Sequence, residues 1–147
     1  MESYAMSQSP FVVESTTGGI IIRMASNMEN IDRASSETQA FLRSHGLGSL
    51  SFAICLGMRE ALTNAVRHGN AGRPQATVTY TIHLTQTRIT LEIIDEGPGF
   101  NWRTARKRRS NAENGRGIHI MKSYFNTFYY NDKGNHLTLE KDLPPPP

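Results

Sequence analysis

Residues 77–85 alternate without a break: Val78, Tyr80, Ile82 and Leu84 take one side, and Thr77, Thr79, Thr81 and His83 take the other. Successive side chains of a strand point to opposite faces, so the pattern predicts a strand with one dry and one wet face. Residues 88–95 repeat it with Ile89, Leu91 and Ile93 inside. Only Gln86 and Thr87 lie between, a connection short enough to make the pair an antiparallel hairpin. A further strand is predicted over 19–24 from Ile20, Ile21 and Ile22, and 127–130 and 136–142 read as closing strands around the turn Asp132-Lys133-Gly134-Asn135.

Elsewhere the apolar period lengthens to that of a helix. Over 27–47, Ile31, Ala34, Thr38, Phe41 and Leu42 share a face, Ser26 is the expected cap, and Gly46 and Gly48 end the element. A second helix is expected to start at Ser49 or Ser51 as cap and to stop at Gly69, a residue able to adopt the left-handed C-terminal conformation, with Pro74 keeping it stopped. Residues 101–114 lack apolar periodicity and read as a loop, and 118–125 as a short helix. Residues 1–10 are polar and read as a loose N-terminus, while 144–147 form a proline stub. The layout is α+β: a two-layer sandwich of a mixed, mostly antiparallel sheet with helices on one face and water on the other, one domain over 11–143.

The length of 147 residues suits one domain with a core of its own. A single cysteine, Cys55, excludes an internal disulfide, and no signal-peptide pattern opens the chain, so a reducing cytoplasm is the expected compartment. No stretch is apolar enough to span a bilayer, so no membrane partner is expected. The net charge of +3 owes much to the cluster between Arg103 and Arg109, beside Trp102. That is a local feature rather than a nucleic-acid footprint, and it is read as a flexible, anion-steering lid.

Three segments carry chemistry. The second helix sets Glu60, Asn64 and His68 at i, i+4 and i+8, a carboxylate, a carboxamide and an imidazole along one stripe, while Met58, Ala61, Leu62 and Ala65 face the core. Taken alone, such a stripe is usually a solvated helix face. Asp95-Glu96-Gly97-Pro98-Gly99 follows a buried strand; Asp95 can accept from the exocyclic amine of adenine while Gly97 and Gly99 let backbone approach the ring. Taken alone, that run is an ordinary turn. Gly115 and Gly117 then open a helix, where free N–H groups and the helix dipole favour phosphate. Asn64 offers an amide oxygen to a hard cation such as Mg²⁺, and Glu60, one turn earlier, is the candidate general base for an attacking hydroxyl. His68 either contacts phosphate or caps the helix C-terminus.

In this order the three segments resemble the ATP-binding fold shared by gyrase, heat-shock chaperone, histidine kinase and mismatch-repair ATPases, the Bergerat-type fold, over roughly residues 20–143. Within it the chain is most similar to the small serine kinases that act as bacterial anti-sigma factors in partner switching. Glu60, Asn64 and His68 match the family's N-box, Asp95, Gly97 and Gly99 its first glycine box, and Gly115 and Gly117 its second. The resemblance implies ATP and Mg²⁺ as cofactors, Glu60 as catalytic base, Asn64 as magnesium ligand and Asp95 as adenine reader. His68, Gly97, Gly99, Gly115, Arg116, Gly117 and Ile118 complete the nucleotide site. It implies an antagonist protein carrying a target serine, a sigma factor and a second copy of the chain as partners, with no direct nucleic acid.

Two positions depart from the family pattern. The final strand of relatives usually opens with Gly-Thr, where this chain has Gly134-Asn135. Relatives often place a basic residue before the second glycine box, where this chain has Glu113-Asn114, which leaves the γ-phosphate to Arg116 or to the upstream arginines. A noncatalytic ATP-gated binding module is the alternative function, although pure binding needs no Glu60. A nucleic-acid binder would explain the arginines and leave all three boxes without a role.

Overall fold

The computed structural model describes residues 10–99 and 113–145. It opens with a strand that the hydrophobic pattern does not announce, β1 (Phe11–Thr16), whose side chains are all exposed after Phe11. Its partner is β2 (Gly19–Ala25), paired antiparallel from Phe11 opposite Met24 to Thr16 opposite Gly19. β1 is held by its backbone ladder, so no buried alternation marks it. Helix α1 (Met28–Ser44) comes next, then a 3₁₀ turn at Gly48–Leu50 and helix α2 (Ser51–Asn64), which continues into a π-helical turn at Ala65–Gly69. Strands β3 (Thr77–Leu84) and β4 (Arg88–Ile94), helix α3 (Glu113–Tyr124), and strands β5 (Thr127–Tyr130) and β6 (His136–Asp142) complete the described chain.

The six strands form one sheet in the order β1-β2-β3-β4-β6-β5, and every pairing is antiparallel. The expected parallel component is therefore missing among the described strands. β5 takes the edge and turns back as a hairpin, which inserts β6 between it and β4.

The core sits where alternation and helical period agree. Ile22, Val78, Ile82 and Leu91 from the sheet meet Ile31, Leu42, Ile54, Met58 and Met121 from the helices, all fully buried. Within it the Tyr80 hydroxyl lies 2.8 Å from Thr38 Oγ1, so the one phenol among these apolar groups is satisfied. Gly57 sets how closely two of the helices pack: a Cβ there would collide with the Phe125 ring, so its absence lets the end of α3 seat directly on α2.

Several element ends differ from the expectation. Asn27, not Ser26, caps α1, its Oδ1 accepting the Asn30 N–H at 2.9 Å. Ser26 is buried instead, with its own N–H donating to Ala76 O at 2.9 Å. Neither Ser49 nor Ser51 caps α2, because the 3₁₀ turn feeds the helix through Leu50 with no side-chain cap. α3 begins at Glu113 rather than 118, so Glu113 and Asn114 belong to it and not to the loop. The remainder of that loop, from 101 to 112 with Trp102 and the arginine cluster, lies outside the described residues, as do 1–9 and 146–147.

Candidate functional site

α2 supplies the first wall. Glu60 and Asn64 are half-buried on it, and neither side chain hydrogen-bonds to another described residue. His68 lies beyond the regular helix. It falls in the π turn, where the Asn70 N–H reaches back five residues to Ala65 O at 2.8 Å, and it is exposed. The wider turn breaks the regular four-residue spacing, and such turns recur at functional sites.

Gly69 is not the left-handed cap that its position suggests. Positive φ belongs to Ala71 (53°) and Gly72 (71°), which turn the chain away. Gly69 is needed for space: a Cβ there would enter the Asp95 carboxylate, and a Cβ at Gly97 would strike the Gly69 carbonyl oxygen. Two backbones thus meet beside Asp95 with no side chain between them. That leaves the kind of flat, narrow surface on which a planar base can lie.

Asn70 locks this arrangement, although neither the hydrophobic pattern nor the three motif segments give it a role. Fully buried, it accepts the Glu96 N–H at 2.8 Å through Oδ1 and donates from Nδ2 to Thr77 O at 3.1 Å. One amide therefore ties the end of α2 to the Asp95 loop and to the start of β3. An asparagine just past a helix end reads as a turn residue, and only its position after Gly69 sets it apart.

Asp95 leaves the end of β4 half-buried, its N–H donating to Asn135 O at 3.0 Å and its Oδ1 accepting the Gly97 N–H at 2.8 Å. Burial pushes its carboxyl above the ordinary value, and the Gly97 N–H and the Lys133 ammonium act in the opposite direction. The β5–β6 turn forms the facing wall. Asn131 Oδ1 collects the N–H groups of Gly134, Asn135 and His136 at 2.8, 3.0 and 3.2 Å. Its Nδ2 donates to Asn135 Oδ1 at 2.9 Å. Asn135, the residue after Gly134, donates from Nδ2 to the Asp95 main-chain oxygen at 3.5 Å. Its amide braces the loop from behind.

The third segment meets the first directly. A Cβ on Gly117 would lie 2.8 Å from Glu60 Oε2, so the glycine lets α3 pass close to the carboxylate. Since α3 starts at Glu113, Gly115 lies in its first turn and Gly117 lies beyond the four free N–H groups. Gly117 therefore contributes closeness to Glu60 rather than a free donor. The side chains of Arg116 and Ile118 lie outside the described residues.

The residues fit a nucleotide with a metal ion. Glycine backbones flank a carboxylate able to accept from an amine, and the amide oxygen of Asn64 is of the kind that would suit Mg²⁺. No group of three or more His, Cys, Asp or Glu able to hold a metal by itself occurs among the described residues. No helix among them is long and apolar enough to cross a membrane.

A family model described as the histidine kinase-like ATPase domain matches residues 24–141, a span that includes Glu60, Asn64, Asp95 and Gly117. A search among curated proteins found no match.

Proposed function

The chain belongs to the histidine kinase-like ATPase domain family, and from that premise we propose that it is a protein serine kinase which phosphorylates a small antagonist protein and otherwise holds a sigma factor, working as a homodimer. The observation that carries this reading is the placement of Glu60: a half-buried carboxylate with no hydrogen bond to another described residue, faced across α3 by the smallest possible residue. A site built only to sense nucleotide needs no such group.

In this reading Asp95 accepts from the exocyclic amine of adenine, and the bare backbones of Gly69 and Gly97 let the ring lie against them. Asn64 Oδ1 would hold Mg²⁺. The bound ion would supply charge neutralisation at the phosphates. Glu60 orients the serine hydroxyl and takes its proton as the serine oxygen bonds to the terminal phosphorus and the bond to the diphosphate leaving group breaks. Gly117 keeps α3 from crowding that carboxylate. The chain's resemblance to anti-sigma kinases supports the choice of a protein serine over other acceptors.

The test is incubation with γ-labelled ATP, Mg²⁺ and a candidate antagonist. Label on an antagonist serine supports the reading. Tight ATP binding with no transfer to any antagonist that the protein binds would leave the noncatalytic ATP-gated module in its place.

A further inference from the structure

β1 ends the sheet at the edge away from the Asp95 loop, and its outer side pairs with no other described strand. The ladder fixes which of its groups are free. Pro10 O accepts the Ala25 N–H at 2.9 Å, so in the register that sets Phe11 opposite Met24 the hydrogen-bonded pairs fall at Val12, Glu14 and Thr16. Phe11, Val13 and Ser15 therefore turn their N–H and C=O groups outward. Their side chains share the helix-bearing face, since Met24, Ile22 and Ile20 opposite them are buried. Natural edges are commonly blunted by lysine, proline or a bulge, and β1 carries none of them.

Phe11 is already engaged, with the Arg33 guanidinium 4.1 Å from its ring centroid. Beyond it a groove of about 380 Å³ opens between β1 and α1, lined by Val13, Ser15, Glu37, Ala40, Phe41 and His45. Val13 stays 39% exposed in its wall, and the Phe41 and His45 rings, centroids 4.4 Å apart, give it an aromatic side. Glu37 is half-buried with no hydrogen bond or ion pair to another described residue. Arg33, one turn earlier, donates instead to Asn30 Oδ1 at 3.3 Å. We propose that this edge and groove form a docking site for an extended segment of another protein, which adds to β1 as an antiparallel strand and directs alternate side chains inward, an apolar one against Phe41 and a lysine or arginine against Glu37. Main-chain bonds to Val13 and Ser15 hold the segment, and the groove selects its side chains. Charge separates the occupants. A second copy joined edge to edge would offer its own β1, whose one charged residue is the anion Glu14, on the opposite face and bound to Arg23 at 2.7 Å. It brings no cation to Glu37. The site is separate from the nucleotide pocket and does not depend on how that pocket is read.

The probes are short fluorescein-labelled peptides in which threonine alternates with valine and lysine, the same peptide with glutamate for lysine, and the lysine peptide N-methylated at each valine and lysine so that it cannot complete the ladder. Anisotropy reads affinity, and residue-resolved hydrogen exchange by NMR locates the added strand. The lysine peptide should bind and slow exchange of the Val13 and Ser15 N–H groups, while Val12, Glu14 and Thr16, protected in the free chain, change little. Glu37→Gln should weaken it about two- to fivefold, the worth of a part-exposed ion pair, and Glu37→Lys should turn the preference to the glutamate peptide, with ATP affinity unchanged in both. Failure of the lysine peptide to bind, equal binding of its N-methylated form, or an unaltered preference in Glu37→Lys would overturn the proposal. So would Val13 and Ser15 N–H groups already protected in the free chain together with a dimer in sedimentation, which would give the edge to a second copy.

Discussion

In the proposed function Asp95 is asked to do two things that oppose each other. It must be ionised to accept from an amine, and it must be dry enough for that hydrogen bond to count. The cost falls on the empty protein. A carboxyl whose folded pKa is raised binds its proton more tightly folded than unfolded, so its contribution to stability is full below the ordinary value of 3.8, is lost as pH rises from there through the raised folded value, and stays lost at neutrality. Asp95→Asn should therefore melt at or above the parent temperature at pH 7 without nucleotide, the gap closing in acid, and should lose most of the upward shift that ATP gives. Scanning calorimetry over pH, with and without ATP, checks both; a lower melting temperature at pH 7 would mean that the charged carboxylate supports the fold. Asn70 makes the opposite case. Its removal as Asn70→Ala strands the Glu96 N–H and the Thr77 carbonyl, which should cost about 1–3 kcal/mol in denaturant titration and weaken ATP binding by displacing the Asp95 loop. Asn64→Ala should leave circular dichroism unchanged and abolish the magnesium dependence of ATP affinity, since a helix accepts alanine and only the proposed metal ligand is lost.

At the scale of elements, legibility tracks burial. The inner faces of α1, β3 and β4 could be read residue by residue because Ile31, Leu42, Val78, Tyr80, Ile82, Ile89, Leu91 and Ile93 are all buried at the period of their element. β1 could not, because an edge strand held through its backbone leaves no alternation behind. The π turn could not either: a slip of one residue in hydrogen bonding changes no hydrophobic position. The site divides in the same way. Glu60, Asn64 and Asp95 show as chemistry-bearing types at telling spacings, whereas Gly69 and Gly97 look like turn residues until the backbones are seen to touch. Gly57 shows the consequence for α2 and α3. Gly57→Ala would drive a methyl into the Phe125 ring and should destabilise by about 1–3 kcal/mol. If α3 then lifts from α2, Gly117 leaves Glu60, and phosphotransfer should fall further than ATP affinity in parallel assays.

Across the whole molecule the antiparallel sheet and its helical layer form a rigid frame on which three distant stretches of sequence converge: the end of α2, the loop after β4 with the β5–β6 turn behind it, and the first turns of α3. A ligand held by such a convergence stabilises only the folded state. ATP with Mg²⁺ should raise the free energy of unfolding by about 2.7 kcal/mol at roughly a hundredfold excess over its dissociation constant. Binding alone does not make a kinase, and the step from one to the other rests on Glu60. The most direct measurement is a paired assay of Glu60→Gln and the unaltered chain: calorimetric ATP affinity, and the single-turnover rate of serine phosphorylation on the antagonist. The account predicts unchanged affinity with transfer slowed roughly 10²–10⁴-fold, the usual worth of a positioned general base. Equal loss in both would show that Glu60 only holds the pocket together, and an undiminished rate would contradict its role as the base.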